Sequence, residues 1–282
     1  GRIQNGKEAV DLLTEKDFSV ALEKAGQINQ YNETRKDLDK SMTEEANNIV
    51  ANLEGLAERR SIVLYNEEWH KGVIGIVASR LTEKYYRPAV VLTKSSELIT
   101  GSARSVTGFD IYKAIESCRD LLENFGGHTY AAGLSLKEEN LDAFTQRFLK
   151  LAADEIIPEQ MTPQIDIDAV LDLQDINAKF MSELKKMNPF GPDNQKPVFC
   201  SLGVKDYGTS KLVGKDLEHI KLELIDDKSN TPIHGIAFGM HQHNTHIKNM
   251  KPFNICYTIE ENTYNGNTSL QLMVKDIKEN DI

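Results

Sequence analysis

Phe125-Gly126-Gly127-His128-Thr129-Tyr130-Ala131-Ala132-Gly133 gathers three glycines, two alanines and one imidazole just ahead of a strand-forming run, Leu134 to Leu136. So little side-chain bulk leaves the backbone open to a ligand. Glycine accepts positive φ and leaves its amide N–H uncovered, so Gly126 and Gly127 read as a loop forming a concave donor nest for a phosphate, with His128 adding a polar or cationic contact. The same composition also suits a tight structural turn whose small residues merely allow close packing.

The sequence upstream favours the ligand site. Gly101-Ser102-Ala103-Arg104-Ser105 follows an expected strand and supplies two hydroxyls and a guanidinium within five residues, the donor set that grips phosphate oxygens. Arg104 is the preferred phosphate ligand, with Ser102 and Ser105 beside it. Further upstream, Glu68-Trp69-His70-Lys71-Gly72-Val73-Ile74-Gly75-Ile76-Val77-Ala78-Ser79-Arg80 begins as a polar loop and continues as a helix that closes before Arg87-Pro88. The start of that helix, with His70 in the preceding loop, is a natural anion site.

These three blocks, in their order along the chain, resemble the DHHA1 domain of the DHH phosphoesterase superfamily, and specifically that of RecJ-type single-stranded-DNA exonucleases. The resemblance implies a domain that binds the substrate backbone and packs over a separate catalytic DHH domain. No Asp-His-His motif is present, and the resemblance implies that the catalytic domain lies in cis upstream of Gly1. The same resemblance places the catalytic Mn²⁺ or Mg²⁺ on that domain. No cofactor and no catalytic residue are expected in this stretch, which alone should be inactive.

Composition sets the outer bounds. The chain has 282 residues, 40% of them hydrophobic and 27% charged, which is ordinary for a soluble globular protein of about two domains. No apolar run approaches membrane-spanning length, and no membrane partner is expected. The opening Gly1-Arg2-Ile3-Gln4-Asn5-Gly6 has neither an initiator Met nor a signal pattern, so the chain is expected to be cut from something longer. Cys118, Cys200 and Cys256 are too few and too dispersed for a zinc site or a disulfide framework, which points to the cytoplasm. A formal charge of −10 argues against coating nucleic acid by bulk attraction, so any DNA contact must be local.

Residues 1–58 read as a helical connector. Leu38, Met42, Ala46, Ile49, Leu53 and Leu56 fall at steps of three and four on one face. That stripe fits either a core-facing helix or a strut between domains; the resemblance implies the long helix joining DHH to DHHA1, with Asn32 and Arg35 part of it. Residues 59–157 alternate strands (Ser61 to Tyr65, Ala89 to Thr93) with helices (Val73 to Tyr85, Asp110 to Leu122), an α/β layer closed by a helix carrying Leu141, Phe144, Phe148, Leu151 and Ala152. Pro158 and Pro163 punctuate the boundary.

Residues 158–282 change texture. A linker helix to about Met187 and the loop Asn188-Pro189-Phe190-Gly191-Pro192-Asp193-Asn194 lead into strands at 198–207, 217–226, 232–238, 252–260 and 268–277, with one short intervening helix. Five strands so arranged predict an OB-like β-barrel. Alternation puts Ile220, Leu222 and Leu224 inward and leaves His219 and Lys221 on the outer, ligand-facing side. The expected fold is therefore an α/β DHHA1 domain preceded by a long connecting helix and followed by an OB-like β-barrel domain.

RecJ-type proteins carry such a barrel after DHHA1. The resemblance extends through the Pro-Phe-Gly-Pro loop, the Lys215, His219 and Lys221 strand, and Asn262, Tyr264 and Gly266. OB barrels hold single strands by stacking bases on aromatics beside a basic groove, and Tyr207, Phe190, Tyr257 and Tyr264 are the candidate rings. Asp166 and Asp168 fit one strand face, as a solvated pair or a metal pair. His241, His243 and His246 lack the i, i+4 spacing and the carboxylate neighbours of a zinc motif.

The expected function is the substrate-binding half of a 5′-to-3′ single-stranded-DNA exonuclease of DNA repair and recombination. Its partner is single-stranded DNA, with single-stranded-DNA-binding protein a further candidate. Two rivals stay open: a DHH-family phosphodiesterase of oligonucleotides or cyclic dinucleotides, and a non-enzymatic replication adaptor.

Overall fold

The computed structural model describes residues 2–191, 193–229, 231–264 and 266–279, with Tyr264 and Asn267 described by their backbone alone. The chain divides into two compact units after Pro163.

The first unit opens with α1 (Lys7–Leu13) and the 34-residue α2 (Phe18–Ala51). Asp17 starts α2 by accepting from the backbone N–H groups of Ser19 and Val20, two donors that no earlier turn can satisfy. Asp39, Met42, Ala46 and Val50 are its buried residues, all in the second half. Phe18 and Leu22 near its start are exposed. Leu38, Met42, Ala46 and Ile49 of the expected apolar stripe thus face the core from α2, whereas Leu53 and Leu56 lie beyond its end and reach the same core from the turns that follow.

The other elements are β1 (Ile62–Tyr65), α3 (Ile74–Tyr85), β2 (Ala89–Ser95), β3 (Leu98–Arg104), α4 (Ile111–Glu116), β4 (Asn124–His128), β5 (Ala131–Leu136) and α5 (Leu141–Glu155). The strands form one sheet in the order β1-β2-β3-β5-β4, parallel between β1 and β2 and antiparallel elsewhere. Alternation along each strand serves two cores. One face, with Val90, Leu92, Ile99, Ala103, Leu134 and Leu136, packs on Phe144 and Phe148 of α5 and Ile111 and Ile115 of α4. The other, with Ile62, Leu64, Ala89 and Val91, packs on Val77, Ala78 and Leu81 of α3 and Met42, Ala46 and Val50 of α2. This second cover ends at β3. Gly133 of β5 and Gly126 of β4 lie exposed beyond it.

Two expectations are corrected here. Gly126, Gly127 and His128 are not a loop: they are the end of strand β4, paired with Gly133, Ala132 and Ala131 of β5, which starts three residues earlier than the run at Leu134. Glycine weakens a strand locally, but pairing with β5 and packing against α4 override that preference. The helix expected from Asp110 to Leu122 stops at Glu116, where the Ser117 hydroxyl donates to the Ala114 carbonyl and a short 3₁₀ turn over Arg119–Leu121 follows.

The second unit contains β6 (Ala169–Val170), α6 (Ala178–Lys185), β7 (Phe199–Asp206), β8 (Lys211–Val213), β9 (His219–Ile225), β10 (Ile233–Ala237), α7 (Asn244–Lys248), β11 (Phe253–Tyr264) and β12 (Asn267–Glu279). Strands β7, β11, β12, β10 and β9 pair in that cyclic order, and β9 returns to β7 to close a five-stranded barrel. The closing seam has two residue pairs, Lys205 with Ile225 and Asp206 with Leu224. Inside, Ile220 and Leu222 of β9 face the small residues Ala237 and Gly235 of β10, the alternation of large and small that lets a narrow barrel fill. Tyr257 is wholly buried, its hydroxyl 2.8 Å from that of Ser201. Ile247 of α7 is also wholly buried in this core. The barrel matches the expected OB-like form, while β6 and β8 were not foreseen.

The strand expected to carry Asp166 and Asp168 on one face is absent: the first two-residue strand of this unit is β6, just after them. Asp168 instead accepts from the Val198 backbone N–H at 2.8 Å and donates its own to the Val198 carbonyl, fixing the entry into β7.

Candidate nucleic-acid interface

In the first unit, register aligns the predicted phosphate ligands. Ser102 pairs with Gly133, which pairs with Gly126; Arg104 pairs with Ala131, which pairs with His128. Directly opposed residues share a face, and residues two apart on a strand share it too. Ser102, Arg104, Gly126 and His128 therefore project from the same side of the sheet, the side left uncovered over β5 and β4. Arg104 and His128 stand two strand spacings apart, about 10 Å. Between them lie Gly133, Ala131 and Gly126, a floor with almost no side chains. Thr100, Ser135 and Asn124 extend it by one more row.

Helix α3 walls this floor. Its first-turn residue Gly75 is so close to β3 that an added Cβ would lie 3.0 Å from the Ser102 hydroxyl and 3.3 Å from an Arg104 guanidinium nitrogen. A larger residue there would force the Ser102 and Arg104 side chains to shift by a few tenths of an ångström. Arg104 donates to Ser102 Oγ at 3.1 Å and to the Ala103 carbonyl at 2.8 Å. Among the described residues no carboxylate pairs with it. Burial, and next the charge of Arg2, lower its pKa from the usual arginine value, yet a guanidinium keeps its proton. A half-buried cation without a counter-ion, next to a second cation and a helix start, is an arrangement that an anion would stabilise.

The remaining predicted ligands differ in role. The Ser105 hydroxyl donates to the Phe109 carbonyl at 2.7 Å, so its one proton holds the following loop and is not offered to a ligand. His128 is exposed at the hairpin end, where its Nδ1 accepts from the Tyr130 N–H at 3.4 Å. His70 Nδ1 accepts from the Gly72 N–H at 3.0 Å, and its carbonyl accepts from Val73 N–H at 2.9 Å, so it shapes the turn into α3. Trp69 anchors that turn by donating its indole N–H to Glu45.

The two glycines of the hairpin are not equivalent. A Cβ on Gly126 would meet nothing within 4 Å, whereas on Gly127, at φ +154°, it would lie 2.3 Å from the Ala131 carbonyl oxygen and 2.5 Å from Ala132 Cα. Gly127→Ala is expected to cost more than about 2 kcal/mol in urea unfolding, because backbone would have to move. Gly126→Ala should stay within about 0.5 kcal/mol of the parent. Equal stability of both variants would show that the β4–β5 approach is not as tight as described.

In the barrel, Ile220, Leu222 and Leu224 point inward, and Lys221 is exposed outward. Lys211 of β8 sits directly opposite Lys221, a like-charge pair that is unfavourable without an anion to share. Lys215 is exposed in the loop between β8 and β9. His219 is less available than expected: its Nδ1 accepts from the Gly239 N–H at 3.0 Å and its Nε2 lies 3.3 Å from Glu218. Its ring meets Phe238 edge to face at 4.9 Å, and Phe238 is 54% exposed. Alternation from His234 through Ile236 was the signal for an outward Phe238, a ring the sequence reading passed over.

The other stacking candidates separate clearly. Tyr257 is core, Phe190 is partly buried against the same core, and Tyr207 is 51% exposed beside β9. The side chain of Tyr264 lies outside the described residues, as does Pro192 of the Phe190 loop. His243 and His246 both face Glu279, at 2.8 Å and 3.2 Å, a carboxylate that distant β12 supplies. Among the described residues no group of three or more His, Cys, Asp or Glu side chains is placed to hold a metal ion, and no helix is long and apolar enough to cross a membrane. These residues do not fit the catalytic Mn²⁺ or Mg²⁺ that the sequence reading placed elsewhere in the protein.

Comparison with known proteins agrees with both units. Residues 58–154 match the DHHA1 domain model and residues 167–276 the RecJ OB domain model. The single-stranded-DNA-specific exonuclease RecJ of Bacillus subtilis is 34% identical over 279 residues, covering 98% of this chain and 35% of that protein. Its namesake in Haemophilus influenzae is 32% identical over 285 residues, covering 99% of this chain and 49% of that protein. The chain therefore spans between about a third and a half of the curated relatives it matches. The crystal structure of RecJ in complex with Mn²⁺ from Thermus thermophilus has the same fold, with a TM-score of 0.79 at 24% identity over the whole of this chain and 40% of that one. The chain thus carries a DHHA1 domain and a RecJ OB domain in series, and it is similar along its whole length to the matching part of the RecJ exonucleases.

Proposed function

We propose that this chain binds and guides single-stranded DNA for a 5′-to-3′ exonuclease of DNA repair and recombination in the cytoplasm. The observation that carries the reading is the uncovered β3–β5–β4 face, where Arg104 stands without a counter-ion among the described residues above a floor of glycine and alanine. A strand's backbone can lie on such a floor, with one phosphate against Arg104, Ser102 and the start of α3, and His128 about 10 Å along. Bases add no constraint there, so the contact positions without reading sequence. The barrel would itself hold a single strand, with Lys211, Lys215 and Lys221 on phosphates and Phe238 or Tyr207 stacking on bases. Phosphodiester hydrolysis would use Mn²⁺ or Mg²⁺ held by a DHH domain in cis. A single-stranded-DNA-binding protein is the natural donor of the substrate.

Fluorescence anisotropy of a labelled oligonucleotide tests the reading. Binding is expected to be weak, to prefer a single strand over duplex, and to fall about tenfold to twentyfold for a fourfold rise in salt if three lysines meet phosphates. Lys221→Glu should reduce affinity at least about tenfold, since reversal also sets a carboxylate opposite the bound phosphate. Equal affinity for duplex, or indifference to salt, would instead favour a protein-docking adaptor.

A further inference from the structure

Cys200 of β7 and Cys256 of β11 are directly opposed on neighbouring antiparallel strands of the barrel. Which kind of pair they form follows from β6. Leu171 donates its N–H to the Cys200 carbonyl at 2.8 Å, and Val170 is the parallel partner of Cys200. The backbone N–H and C=O of Cys200 therefore point toward β6 and away from β11. Cys200 and Cys256 are thus a non-hydrogen-bonded pair, the kind in which opposed Cα atoms lie about 4.5 Å apart and side chains come closest. That separation lies at the short end of the range a disulfide spans, about 4.4–6.8 Å.

Their neighbours fix the direction in which they point. Phe199, Ser201, Ile255 and Tyr257 are buried in the barrel core, so alternation turns Cys200 and Cys256 to its outer surface. Cys200 is only 5% exposed, while Cys256 is partly open to solvent next to the exposed Asp276 of β12. One thiol is reachable and the other stands directly behind it, the arrangement of an attacking and a resolving cysteine.

We propose that Cys200 and Cys256 form a dithiol site that a low-molecular-weight disulfide oxidises to an intramolecular disulfide. The Cys256 thiolate attacks one sulfur of the reagent, forming a mixed disulfide and expelling one thiolate. The Cys200 thiolate then attacks the Cys256 sulfur, forming the cross-strand bond and expelling the second. The two protein thiols lose two protons and two electrons; the reagent gains both and leaves as two thiols. Burial first, and then Cys200 and Asp276, push the Cys256 thiol up to about 11. The first step is therefore slow near neutrality and accelerates with pH, since only the thiolate attacks.

The native full chain is incubated with oxidised glutathione, quenched in acid, alkylated and mapped by mass spectrometry. The expected product is a peptide pair joined through Cys200 and Cys256, with Cys118, wholly buried in the first unit, left as the thiol. The rate should rise about tenfold per pH unit between roughly pH 7 and 9. Cys200→Ser should stop at the mixed disulfide, with glutathione retained on Cys256, and Cys256→Ser should leave Cys200 unreacted. Stable glutathione on Cys256 of the parent chain would overturn the proposal, as would two free thiols after prolonged exposure at the higher pH. An unmodified Cys256 in the Cys200→Ser variant would overturn it equally.

Discussion

Arg104→Ala, placed in the full-length nuclease proposed above, is expected to lower kcat/KM on single-stranded DNA about tenfold to a hundredfold. The loss corresponds to one charge-assisted phosphate contact, about 1.5–3 kcal/mol. Folding should survive, because Arg104 bonds only Ser102 and the Ala103 carbonyl and anchors no carboxylate among the described residues. Arg104→Lys should fall between the two, keeping the charge and losing the planar fork. The kinetics are compared with a melting curve of each variant. An Arg104→Ala enzyme that is folded and unimpaired would remove the phosphate role from this face of the sheet.

Asp39→Ala is expected to destabilise the first unit by about 2–3 kcal/mol, a fall of roughly 5–10 °C in melting temperature. The Asp39 carboxylate, 6% exposed, accepts from Arg80 Nε at 2.8 Å and Nη2 at 2.7 Å, with Arg35 3.7 Å away. The figure is set below that of a fully buried pair because the Arg80 side chain is 50% exposed and regains water when its partner is removed. The Arg80 hydrogen bonds lower the Asp39 pKa against the opposing effect of burial. A carboxyl held below its ordinary range stabilises the fold above its unfolded pKa and loses that contribution as pH falls through the folded value. The gap between parent and variant should therefore be full at neutral pH and shrink below about pH 4. Circular dichroism melts across that range measure it, and a gap independent of acid would mean that the ion pair is not its source.

Much of this was legible in the sequence because the side chains themselves carry the pattern. Ile220, Leu222 and Leu224 alternate with His219 and Lys221, and that period alone fixes which side of β9 faces the core. The strands around the barrel followed the same rule. Gly126 and Gly127 were harder, since a strand built of glycine has no alternation to read and is identified only by what pairs with it. Long-range partners were also hidden: Lys211 opposite Lys221 across a loop, and Glu279 brought to His243 and His246 by the barrel's closure. Gly75 stood in plain view within the helix block, yet its purpose appears only when β3 is seen against it.

The barrel's short closing seam has a dynamic consequence. β11 and β12 pair over their whole lengths, whereas β7 and β9 are joined at Lys205–Ile225 and Asp206–Leu224. Local opening takes the cheapest route, and here it would break these two pairs together with the Tyr207 N–H bond to the Glu223 carbonyl and the Lys205–Asp227 ion pair beside them. Such a fluctuation would carry β9, and β8 paired to it, away from β7, so the side of the barrel that bears Lys211 and Lys221 is the side that would open first without the domain unfolding.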